Sequence, residues 1–152
     1  MDPAERTELA QAVLDTSRGM LALAIRSVSS GTAPVTVVQH RVLVLLEGHG
    51  ALTVNDVAAE LGVDQSNASR HCSSLERLGL VTRTPAAHDG RSVEVALTAA
   101  GRRQVESVRA ARLVEISRIL DGLPDDSVRE MVRAFRAFER ASQEERATTP
   151  VI

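Results

Sequence analysis

The sequence has no tryptophan, no tyrosine and no lysine, and only two phenylalanines. A core must therefore be built from Leu, Val and Ala. The exposed ring platform that stacks single-stranded nucleic acid is excluded. One cysteine cannot form an internal disulfide framework. No run approaches ~18 uninterrupted apolar residues, and the first residues lack a basic-then-apolar signal pattern. No membrane partner is expected, and the expected compartment is the cytoplasm. The formal net charge of −2 gives no global basic excess. The chain also lacks a Gly-rich phosphate loop, a nucleophile elbow and a supported carboxylate pair, which leaves an enzyme reading without footing. His40, His49, His71 and His88 do not fall at a recognised ligand spacing, so neither a metal nor a cofactor is expected.

What is present is ordinary in bulk and specific in pattern. The 152 residues, 43% apolar and 25% charged, fit one domain or one domain with an oligomerisation arm. All 18 basic residues are Arg, which suits bidentate contacts to phosphate and guanine. Leu9, Val13, Met20, Ala24 and Val28 recur at three-or-four spacing and predict a helix over 5–29, which Ser29 to Pro34 breaks. Thr36 and Gln39 form a capping box before Val42–Leu46, a run apolar all round that predicts a central helix. Thr53 and Asp56 cap a third helix with Val57, Ala58 and Leu61 inward and Gly62 as its stop. Asp64 is expected to cap a fourth, which should reach Leu78 before Gly79. Val81 and Arg83 begin a strand, Pro85 to Gly90 turns the chain, and residues 92–97 alternate as a returning strand. Two more helices follow, one from Thr98 to about Leu120 and one carrying Val128, Met131, Val132, Phe135 and Phe138 on a stripe.

At about 100° per residue, Ala68, Cys72 and Leu75 share one face of the 64–78 helix. Ser66, Arg70, Ser73 and Arg77 take nearly the opposite face, flanked by Asn67, Ser69 and Ser74. This polar face holds hydroxyls, an amide and guanidiniums, with Glu76 only at its edge. A merely solvated helix more often mixes Glu and Lys at four-residue spacing. Hydroxyls, amides and guanidiniums are the groups that donate to phosphates and read purine edges. About a dozen residues on, the turn carries His88, Asp89, Gly90 and Arg91. An Arg held by a neighbouring carboxylate can enter a narrow minor groove, where the potential is most negative.

Together these segments resemble the MarR family of winged-helix transcriptional regulators. The resemblance rests on Thr36–Gln39 with Val42, Leu43 and Leu46, then on Val57–Leu61, Ser69-Arg70 and Leu75–Val81. Arg83, Asp89-Gly90-Arg91 and Leu97–Gly101 complete it. It departs from the family at His71, where an apolar residue is usual, and at Asn67-Ala68, where Thr-Val is common. The resemblance implies a mainly α fold with a small β-hairpin wing: a winged helix-turn-helix lobe over 35–98, flanked by dimerisation helices over 1–34 and 99–146, with a flexible tail at 147–152. It implies a homodimer on a palindromic duplex operator, acting as a repressor released by a small-molecule effector whose pocket residues stay unassigned. Ser66, Asn67, Ser69, Arg70 and Ser73 would face the major groove with Arg77 nearby, and His88, Asp89 and Arg91 would form the wing contact. Two other readings stay open. One is a thiol switch through Cys72, although that residue falls on the apolar face and reads first as a packed small hydrophobe. The other is a winged-helix protein-interaction module without DNA affinity, which the acidic net charge permits.

Overall fold

The computed structural model describes residues 1–86 and 92–148. Among them, six helices and three strands run α1 (Pro3–Val28), α2 (Val37–His49), β1 (Leu52–Thr53), α3 (Val54–Leu61), α4 (Gln65–Arg77), β2 (Val81–Pro85), β3 (Val93–Leu97), α5 (Ala99–Leu120) and α6 (Asp125–Thr148). The chain divides into two compact units, Met1–Leu113 and Val114–Ile152. The mainly α class with a small antiparallel wing sheet is as expected. The expected tail begins inside α6, and residues 149–152 lie outside the described residues.

Helix starts follow from short polar side chains that satisfy orphan backbone donors. Before α2, the Gln39 amide donates to Thr36 Oγ1 at 3.2 Å, and the Thr36 amide donates to Gln39 Oε1 at 2.8 Å. Before α3, the Asp56 amide donates to Thr53 Oγ1 at 3.1 Å, while the Thr53 amide and hydroxyl both donate to Asp56 Oδ2, at 3.1 and 2.7 Å. These bonds, the hydroxyl's first, hold the Asp56 carboxyl below its ordinary range. Thr53→Ala is therefore expected to lower stability by about 1 kcal/mol at neutral pH, read as a fall in the urea midpoint. A depressed carboxylate stabilises the fold above its unfolded value and loses that contribution as pH falls through its folded value. The difference between parent and variant should thus shrink in acid. A pH-independent difference would contradict the assignment.

Asp64 departs from expectation. It occupies the N-cap position of α4, yet its side chain makes no capping bond. The helix opens on its carbonyl instead, which accepts from the Asn67 and Ala68 amides at 2.9 and 3.0 Å. Gly79, with φ of 70°, closes α4 in the left-handed region. Its amide donates to the Glu76 carbonyl at 2.8 Å, and that of Leu80 donates to Leu75 at 3.0 Å, turning the chain directly into β2.

The sheet order is β1-β3-β2, antiparallel throughout, with Leu52 opposite Val95 and Arg83 opposite Val95 on the other side. The sequence revealed only the β2–β3 hairpin. Two residues are too few to show a period of two, so β1 was invisible before the fold brought it beside β3. The core is a single cluster in which Val42, Leu43 and Leu46 of α2 meet Val57, Ala58 and Leu61 of α3. Ala68, Cys72 and Leu75 of α4 close it with Leu80, Val81, Val95 and Val105. Helix α2 is central, but not on all sides: Val44 stays 43% exposed, because it lies about 200° around the helix from Val42.

The base of this unit is joined by polar contacts that no sequence period announces. Gln104 of α5 is fully buried. Its Oε1 accepts from the Thr32 hydroxyl at 2.9 Å and from the Ala33 amide at 2.8 Å, and its Nε2 donates to the Ala33 carbonyl at 3.3 Å. Arg112, also on α5, donates through Nε to Ser27 Oγ at 3.1 Å and through Nη2 to the Ala24 carbonyl at 3.3 Å. His40 is buried nearby. Burial first, and the Arg112 charge second, push its imidazole below the ordinary value.

The long helices bury little of their apolar surface. On α1 only Leu23, Ser27 and Val28 are buried, while Leu9, Val13, Leu14, Met20, Leu21 and Ile25 stay exposed. On α5, Leu113, Val114, Ile116 and Ile119 are exposed, and on α6 so are Phe135 and Phe138. No helix among the described residues is long and apolar enough to cross a membrane.

Candidate nucleic-acid interface

Helix α4 is held by its apolar face. Ala68, Cys72 and Leu75 are fully buried in the core cluster, as the helical period predicts. The opposite side is fixed in turn: Ser66, Arg70 and Arg77 are exposed, and Asn67, Ser69 and Ser73 are half-buried. Arg70 donates through Nη2 to Asn67 Oδ1 one turn earlier, so the amide steadies the guanidinium in front of the helix. Planar guanidinium forks of this kind suit paired acceptors on guanine or phosphate. His71, on the flank, is half-buried.

Ser73 is not an isolated member of this face. Arg83, on β2, donates through Nη1 to Ser73 Oγ at 2.7 Å and lies 3.7 Å from the Glu76 carboxylate. The one acid at the edge of the polar face is thereby partly neutralised from the neighbouring strand. His88, Asp89 and Arg91, the remaining residues expected at the site, lie outside the described residues.

A cleft of about 320 Å³ runs along the same side. Thr53, Val54 and Asn55 at the start of α3 line it, with Gln65, Ser66 and Ser69 from α4, and Arg83, Ser92 and Val93 from the strands. Ser66 and Ser69 were expected at the site. Asn55, Gln65, Arg83 and Ser92 were not, because they lie on or beside α3, α4, β2 and β3, separate elements that only packing brings together. Arg83 alone left a trace in the sequence, as part of the family pattern. The N-termini of α3 and α4 flank the cleft, a setting that favours an anion.

Cys72 is fully buried, and burial pushes its thiol up despite the opposing charge of Arg83. A thiolate is the reactive form, so this setting disfavours oxidation. Among the described residues, no group of three or more His, Cys, Asp or Glu side chains is placed to hold a metal ion.

Comparison with known proteins points the same way. Residues 33–92 match the family model described as MarR family. The chain is 31% identical to the HTH-type transcriptional repressor MdtR of Bacillus subtilis, over 72% of this chain and 68% of that protein. Among solved structures, the crystal structure of RV1404 from Mycobacterium tuberculosis is similar at 32% identity and a TM-score of 0.79, covering 89% of this chain and 92% of that one. A MarR family protein from Bacillus stearothermophilus shares the fold at a TM-score of 0.81, with 22% identity over 94% of this chain and 99% of the other.

Proposed function

The chain belongs to the MarR family of winged-helix, DNA-binding transcriptional regulators, not to the enzymes, and from that premise we propose that it is a cytoplasmic repressor. It acts as a homodimer that holds a palindromic duplex operator and lets go when a small molecule binds. The observation that carries the reading is the polar face of α4, presented by a fully buried apolar face and backed by the Arg83 contact. Ser66, Asn67, Ser69, Arg70 and Ser73 face the major groove, with Arg77 nearby. His88, Asp89 and Arg91 reach the adjacent minor groove.

Residues 35–98 are the DNA-binding lobe in this reading. Residues 1–34 and 99–146 build the dimer, and 147–152 form a tail. The unburied apolar residues of α1 support the dimer, since a second copy is what would remove them from water. The name of the Bacillus subtilis relative supports repression. Release follows by population shift: an effector favouring one lobe spacing draws the dimer away from two successive major grooves.

The test is titration of the promoter fragment beside its own gene, and of duplexes selected from a random pool, at several salt concentrations. Binding that weakens steeply with salt is expected, and absence of salt-dependent binding to every duplex would sink the reading. On a selected duplex, Arg70→Ala should cost about 1–3 kcal/mol and relax discrimination at one base position. Arg91→Ala should weaken binding across many sequences while the fold stays intact. Parent-like gel shifts from both variants would contradict the groove assignment.

A further inference from the structure

Among the described residues, Arg83 is the one basic side chain on the sheet strands, and it is four-fifths shielded from solvent. It joins two elements that the proposed function uses separately: β2, which leads into the wing, and α4, which presents the reading face. Its Nη1 donates to Ser73 Oγ at 2.7 Å and stands 3.7 Å from Glu76 Oε2. Its Nε is buried and, among the described residues, has no hydrogen-bond partner. It also lines the cleft between α4 and the strands.

We infer that Arg83 is a positioning residue for DNA recognition, fixing the wing strands against the recognition helix through Ser73 and Glu76. The inference rests on the DNA-binding reading above and goes beyond it. A guanidinium suits the task because its long reach brings one terminal nitrogen, Nη1, to a hydroxyl and beside a carboxylate at once. A duplex offers its major and minor grooves at a fixed separation, so reader and wing must hold matching positions to engage both. Ser73 then belongs to the site as the anchor of Arg83 rather than as a base reader. Glu76, an acid beside a phosphate-facing surface, completes that anchor.

The test uses the full chain and a duplex selected from a random pool by the parent protein. If the parent selects no duplex, the DNA-binding reading itself fails. If it does, Arg83→Gln should bind that duplex roughly tenfold or more weakly. In a hydroxyl-radical footprint the variant should keep the protection of the half-site centres and lose that of the flanks. A purely structural role would instead remove all protection together, in step with a lower thermal midpoint, and would overturn the inference. Arg83→Lys keeps the charge, but its nitrogen ends one bond short of Nη1, so it should behave like Arg83→Gln; full rescue by Lys would overturn the proposal. Ser73→Ala should lose flank protection too, and the double variant should be no weaker than Arg83→Gln alone. Additive losses would show that Arg83 meets the DNA independently of Ser73. If Arg83→Gln fails to fold, Ser73→Ala decides, and parent-like flank protection in that variant overturns the proposal.

Discussion

Replacing Leu14 and Leu21 together by Glu is expected to convert the protein to a monomer and to weaken operator binding by about 10²–10⁴-fold. The two residues lie seven apart, two turns along α1, and therefore on one face. They are 50% and 60% exposed in the single chain, with Ile25 on the same line at 45%. Each leucine that a partner removed from water would contribute roughly 1–2 kcal/mol, because only about half of its surface remains to be buried. Glutamates would forfeit that gain and set like charges against each other in a twofold interface. Because both positions face solvent in the single chain and Glu favours helix, the chain should keep its far-UV spectrum. The large loss in DNA binding arises because a dimer presents two reading helices to two half-sites, and the second contact forms at high effective concentration. Sedimentation and a gel shift check this. A double variant that sediments with the parent, or a monomer that binds equally tightly, would contradict the assignment of α1 to the dimer.

Gly101→Ala is expected to destabilise the fold by about 2–3 kcal/mol, measured from the urea midpoint. A Cβ at this position would stand 2.1 Å from the Leu80 carbonyl oxygen and 2.9 Å from Leu97 Cδ2. The leucine tip can move, but the carbonyl cannot move cheaply. It accepts the Thr98 amide at 3.1 Å, while the Thr98 hydroxyl donates to the Gly79 carbonyl at 2.7 Å and accepts the Gly101 amide at 3.0 Å. This knot packs the first turn of α5 against the end of α4 and the start of β2. Opening it displaces the elements that set the angle of the recognition helix, so operator affinity should fall with stability. A change within half a kcal/mol of the parent would mean that the contact relaxes without cost.

The sequence was most legible where structure is local. Thr36-Gln39 and Thr53-Asp56 specify capping boxes because the donor and acceptor lie within four residues of each other. Gly62 and Gly79 mark helix ends because the left-handed conformation there suits a residue without a Cβ. Ala68, Cys72 and Leu75 were identified as the inner face of α4 by the helical period alone, and so was the polar face opposite. Asp64 shows the limit of such reasoning. Its residue type fits a cap, yet its side chain takes no part in one, and the choice between those rotamers is not written in the neighbouring letters.

What the sequence by itself determined was the six helices and the β2–β3 hairpin, their order, and which side of α4 is dry, since each follows from short-range bonding and a local repeat. The tertiary structure alone decided the rest of the site. It added β1 to the sheet, brought Asn55, Gln65 and Arg83 around one cleft, placed Arg83 on Ser73, buried Gln104 on the loop before α2, and pressed Gly101 against Leu80. Those contacts join residues from separate elements, between ten and about seventy positions apart for the three pairs. Their partners are chosen by packing, which no local period encodes.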